Sequence, residues 1–127
     1  MTVRFALSKH KNPPIPAVTL DLVAPDGSET VSGIAGIVDT AADCTVIPLT
    51  YLHQLKLRPV SQVQAQGFGT SLFVVDVYRV RVVIPNVCHV TIDAIEHARE
   101  THILLGRDVL KRLRFTYDGP NEFIEFP

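Results

Sequence analysis

The chain has 127 residues, of which 46% are apolar and 20% charged, and its formal net charge is −1. These totals describe one globular domain, residues 1–127, long enough to bury a core, and they are the composition of a globular chain and not of a disordered one. Near-neutral charge leaves no footprint for nucleic acid or an anionic membrane, and apolar runs such as "SLFVV" fall far short of the about 20 residues that span a bilayer.

Strand signals dominate the chain order. "TVRFAL" opens as a strand and "KHKNPPIP" interrupts it, because three prolines cannot join the interior of a ladder. "AVTLDLVAP" alternates apolar and polar residues with period two and ends at Asp26-Gly27, a hairpin turn, and "ETVSGIAGIVD" is its return strand. The small residues Gly33, Ala35 and Gly36 in that return strand predict tight packing or a close neighbouring backbone. "PLTYLHQLKL" predicts a short helix, with Pro48 in its first turn and Leu49, Leu52 and Leu55 on one side. "PVSQVQAQ" and "SLFVVDVYRVRVVIP" form a long hairpin around the glycine-rich tip "GFGT". "VCHVTIDAIE" is a further strand, "THILL" a short apolar run ending at Gly106, and "RDVLKRL" a second short helix. "RFTYDGP" and "EFIEFP" close the chain as strands around an Asp-Gly-Pro turn. The sequence class is all-β with one or two short helices.

Cys44 and Cys88 are the two cysteines, and without a secretory-type apolar core in "MTVRFALSKHKNPP" they read as buried thiols of a cytoplasmic protein. Cys44 has no histidine near it in sequence to serve as a base, which argues against a Cys–His enzyme. Of the five histidines, His97 and His102 come closest to a ligand pair, flanking Glu100 in "EHARETH". That is not the helical H-E-x-x-H spacing of a zinc site, so neither a metal nor any other cofactor is expected.

Residues 36 to 48, "GIVDTAADCTVIP", run an apolar strand straight into Asp39, with Asp43 four residues on. Ionising a carboxyl at the end of a buried strand is costly, so the placement has two readings. Either Asp39 is a turn residue that satisfies local backbone donors, or it is a carboxyl put there for chemistry. Three features bear on the choice: Asp39-Thr40-Ala41-Ala42-Asp43, the glycine-tipped hairpin at 67 to 70, and "HILLGRDVL" at 102 to 110. In this order and spacing they resemble the retropepsin-like aspartic proteases. That family carries Asp-Thr/Ser-Gly-Ala/Ser after an apolar strand, then a flap hairpin, then a hydrophobic run ending in Gly-Arg-Asp/Asn and a short helix. The resemblance spans about Ala17 to Gly119, and "LLGRDVLKRLRFTYDGP" looks like the corresponding segment of bacterial members.

The resemblance implies an acid-protease barrel with a flap, and a role for each matching residue. Asp39 falls at the catalytic carboxylate and Thr40 at the hydroxyl that bonds across a two-fold axis. Asp43 and Arg107 match an acid and an arginine that pair and brace the floor of the site. Gly67, Phe68, Gly69 and Thr70 fall at the flap tip that closes over a peptide or protein substrate. Two carboxyls held close cannot both ionise, so they share a proton and can activate water while polarising a carbonyl. The chain carries one such motif, so a second carboxyl of the same kind has to come from another copy, as in a C₂ homodimer.

One residue departs from the pattern: Ala41 stands where the family has glycine. If that backbone needs φ > 0, alanine costs about 1 kcal/mol or more; if it needs only space, the methyl crowds the substrate. Two functions follow. The first is a homodimeric aspartic endopeptidase. The second is a catalytically weak or silent module of the same fold that binds extended peptides or dimerises.

Overall fold

The computed structural model describes residues 1–66, 72–97 and 101–127. Among them are ten strands and two short helices. The strands are β1 (Val3–Ala6), β2 (Ala17–Val23), β3 (Thr30–Val38), β4 (Val46–Pro48), β5 (Ser61–Ala65), β6 (Phe73–Ile84), β7 (Cys88–His97), β8 (Ile103–Leu105), β9 (Thr116–Asp118) and β10 (Phe123–Phe126). The helices are α1 (Leu49–Gln54) and α2 (Arg107–Leu110).

The main sheet runs β2-β3-β8-β4-β7-β6-β5, and β2 pairs again with β6 through Asp21↔Val83 to Val23↔Arg81. That second pairing closes six strands into a barrel and leaves β5 attached outside it, on β6. Closure removes the edges of the six barrel strands, while β5 is paired on one side only among the described residues. Alternation sends Val18, Leu20 and Leu22 of β2 and Val80, Val82 and Ile84 of β6 inward. The buried phase of β6 changes between Val77 and Tyr78, where the strand passes from the outlying hairpin into the barrel wall. A separate sheet, β1-β10-β9, joins the two ends of the chain, with Val3 opposite Phe126.

Gly33 and Gly36 serve different ends. A side chain at Gly36 would meet Leu20 Cδ2 at 2.6 Å, the tight packing expected. Gly33 has open space around it and φ +71°. The β2–β3 register slips between Leu20↔Ile34 and Leu22↔Val31, and Gly33 N donates to Asp21 Oδ1 at 3.0 Å. Gly33 is therefore the left-handed residue of a β-bulge and not a packing glycine.

The helices are shorter than their apolar patterns predicted. Pro48 is the cap before α1, not a residue of its first turn, while Leu52 and Leu55 are buried beneath it as the spacing required. α2 covers four residues, and Arg112 N→Val109 O and Leu113 N→Leu110 O continue it as turns. No helix among the described residues is long and apolar enough to cross a membrane.

Candidate active site

The site is built where β3 ends. β8 lies between β3 and β4, parallel to β3 (Val38↔Leu105) and antiparallel to β4 (Val46↔Leu104). The chain leaving β3 must therefore cross over the end of β8 before it can enter β4. Residues 39–45 make that crossing. Asp39 N donates to Leu105 O at 3.0 Å and Arg107 N to Ala42 O at 2.9 Å. Thr45, fully buried, donates its hydroxyl to Asp108 Oδ1 at 2.7 Å and accepts from Gly106 N at 3.1 Å. Gly106 allows the approach: a Cβ there would stand 2.4 Å from the Cys44 carbonyl carbon.

Within this crossing Asp39 is half-buried. Its Oδ1 accepts from Ala41 N at 3.1 Å, and its carbonyl accepts from Ala42 N at 3.2 Å. The local turn weighed for this residue is thus present, and it occupies one carboxylate oxygen. Oδ2 has no hydrogen bond among the described residues. The carboxylate borders a groove of about 510 Å³ together with Ile37, Leu104, Thr101, His102 and Lys11.

Thr40 is exposed, and its carbonyl accepts from Arg107 Nη1 at 3.0 Å. The same guanidinium donates through Nη2 to Asp43 Oδ1 at 2.7 Å. Arg107 therefore ties both ends of the Thr40–Asp43 segment to the start of α2. The Asp43 side chain is 88% exposed and that of Arg107 52%, so the ion pair itself stabilises by no more than about 1 kcal/mol. Gly67, Phe68, Gly69 and Thr70 lie outside the described residues, as does Glu100. The arms that lead to 67–71, β5 and β6, pair in register from Ser61↔Val77 to Ala65↔Phe73.

No family model matches the sequence, and no curated protein matches it. Solved structures do. A retropepsin-like aspartic protease from Rickettsia conorii superposes with a TM-score of 0.66 at 14% identity, covering 99% of this chain and 90% of that one. The fold is retropepsin-like. EIAV protease complexed with the inhibitor HBY-793 superposes with a TM-score of 0.50 at 20% identity, over 85% of this chain and 93% of that one. At these identities the likeness is one of fold.

On this retropepsin-like frame Ala41 is an ordinary residue. The left-handed non-glycine residues among those described are Lys56, Asn86 and Glu122, and Ala41 is not one of them. Its backbone is unstrained, and of the two costs that alanine was expected to carry only the steric one is left. The exposed methyl borders a groove of about 550 Å³ with Cys44, Val46, Val63, Gln64 and Ile95.

Both cysteines are free thiols and half-buried, less enclosed than expected. Burial pushes the Cys44 thiol above its ordinary value, and the charges of Asp108 and Asp43 push it the same way. A thiol held protonated by burial, with two carboxylates adding to the effect, is a poor nucleophile. No group of three metal-ligating side chains occurs among the described residues. The residue that sequence reasoning missed is Thr45, whose partner lies at the far end of the chain. The one signal for it was a hydroxyl inside an otherwise apolar run, "CTVIP".

Proposed function

We propose that the protein is an aspartic endopeptidase, a hydrolase that cleaves peptide bonds with a water activated between two Asp39 carboxyls of a homodimer. The observation that carries this reading is the Asp39 carboxylate itself: held by backbone on one oxygen, without a hydrogen bond on the other among the described residues, and set on an open groove at the crossing loop of a retropepsin-like fold. One such motif per chain makes a second copy the source of the partner carboxyl.

In this mechanism the paired carboxyls share one proton, an effect for which the aspartic-protease dyad is the established example. The ionised carboxylate takes a proton from water as it attacks the peptide carbonyl carbon. The protonated carboxyl donates to the carbonyl oxygen, giving a neutral tetrahedral diol. Proton transfer to the amide nitrogen then lets the C–N bond break, and the dyad regains its single proton. Thr40 supports the dyad across the axis, and Arg107 with Asp43 holds the loop on α2. Gly67 to Thr70 close over the substrate as a flap and exclude water.

The test is Asp39→Asn, assayed for cleavage of an unfolded protein and for mass by sedimentation. The reading requires lost cleavage with the dimer intact; cleavage retained in that variant ends it. A second reading, a silent peptide-binding module, is favoured by one observation: Ala41, where the family's motif has glycine, lines a groove of about 550 Å³ other than the one that Asp39 lines. Peptide bound by the unmodified chain without turnover would support it.

A further inference from the structure

Two grooves meet beside Asp39. The first, of about 510 Å³, contains the carboxylate; the second, of about 390 Å³, continues from it over Ala17, Val18 and Ala35. They share Ile15 and Ile37 in the floor and Lys11 and His102 at the rim, and His10 adds to the rim of the second. The His10 and His102 rings lie 6.4 Å apart. Asp39 aside, no acidic side chain lines either groove among the described residues.

One charged group of this rim, Lys11, is uncommitted among the described residues. Lys11 is exposed and makes no ion pair or hydrogen bond among the described residues, whereas its neighbour Lys9 lies 3.9 Å from Glu122. His102 Nδ1 and Thr101 Oγ1 share a hydrogen bond of 3.0 Å, and with the threonine hydroxyl as donor the ring N–H stands at Nε2, where it can donate to a carboxylate. An apolar floor under a basic rim suits a side chain with a short hydrocarbon stem and an anionic end.

We propose that Lys11 supplies the charge, and His102 and His10 polar ring nitrogens, of a subsite that selects a glutamate or aspartate side chain of the peptide lying across Asp39. The inference rests on the endopeptidase reading for the path of the peptide. Lys11 is exposed, so its charge adds a preference of the size of a surface ion pair, and the apolar floor beside it holds the stem of the side chain. The floor accepts glutamine or leucine without the charge contact, and the rim repels lysine.

The experiment uses the full chain and decapeptides in which one Glu, Gln or Lys is stepped through every position. Two readouts are taken: kcat/KM for the unmodified chain, and fluorescence-anisotropy binding to the Asp39→Asn chain. At one position Glu is expected to exceed Gln by about two- to fivefold, with Lys below both. Lys11→Glu, at an exposed position that leaves the fold intact, is expected to reverse the order of Glu and Lys, and His102→Gln to narrow the gap. Glu and Gln equal at all positions, or a preference unchanged in Lys11→Glu, overturns the proposal. So does a Lys11→Glu chain that weakens the dimer in sedimentation while keeping the preference, because a second copy then occupies the groove. Charge-selective binding without cleavage upholds the subsite and sinks the protease reading; cleavage without charge preference does the opposite.

Discussion

Thr45 and Asp108 stand 63 residues apart in the chain and are joined by two hydrogen bonds, Thr45 Oγ1→Asp108 Oδ1 at 2.7 Å and Thr45 N→Asp108 Oδ2 at 3.0 Å. With Gly106 N on the same hydroxyl and Val109 N on the same carboxylate, they clasp the crossing loop to the start of α2. Removing the hydroxyl leaves the Gly106 N–H unpaired in a buried place. Thr45→Val is therefore expected to destabilise the chain by about 1–3 kcal/mol, and Thr45→Ser to recover most of the loss. Thermal unfolding of the three chains checks this, and equal melting of Thr45→Val and the parent would contradict it.

Arg107 works by geometry more than by charge. Arg107→Lys keeps an ammonium for Asp43 but lacks the second arm that reaches the Thr40 carbonyl. Stability is expected to change by less than about 1 kcal/mol, because the ion pair is exposed. Cleavage is expected to fall by about tenfold or more, because a loop carrying Asp39 that shifts by a fraction of an ångström loses alignment. Denaturant midpoints and kcat measured on the same samples separate the two effects.

Ala41→Gly tests the departure from the family's motif. The backbone at Ala41 is not left-handed, so glycine relieves no strain and lowers stability by about 0.5–1 kcal/mol through chain entropy. Any gain in cleavage then comes from space in the groove that Ala41 lines. It is expected to show as a lower KM with kcat changed by less than about threefold. A large rise in kcat would mean that the methyl displaces Asp39 itself.

The parts of this molecule that were legible in its sequence are those with local causes. Period-two alternation marked β2, the apolar run of a long hairpin arm marked β6, Asp26-Gly27 marked the first hairpin, and Leu52 and Leu55 marked the buried side of α1. Asp39 was legible because a charge closing an apolar strand is costly wherever it sits. β4 was not, because its three residues merge with the motif before them and the helix after them. Nor was the clasp of Thr45 to Asp108, since it exists only once β8 has slotted between β3 and β4. Gly33 was visible as unusual, but whether it packs or bends follows from the register of a partner strand.

The alkaline limit of stability follows from three protons. Burial is the largest cause that raises Cys44, Cys88 and Tyr78; Asp108 and Asp43 add to it at Cys44, and Glu96 and Asp76 at Tyr78. In the unfolded chain the same groups lose their protons at lower pH, so above that point the folded state binds more protons and stability falls as pH rises. Urea midpoints are expected to be level from about pH 7 to 8.5 and to decline beyond, first from the thiols and then from the phenol. Tyr78→Phe is expected to flatten the upper part of that decline. A midpoint that climbs above pH 9 would reverse the sign and refute the argument.

Mixing experiments address the dimer most directly. If each active unit needs two Asp39 carboxyls, a mixed dimer of parent and Asp39→Asn chains has one carboxyl and no shared proton. After subunit exchange, activity then follows the square of the parent fraction. An equal mixture retains about one quarter of the activity of the same total amount of parent chain, where independent monomers would retain about half. The curve is read at fixed total concentration over several ratios, with exchange confirmed by the mass of a tagged pair. A straight line through those points would mean that one chain carries the chemistry alone, and the pairing of Asp39 with its own copy would have to be given up.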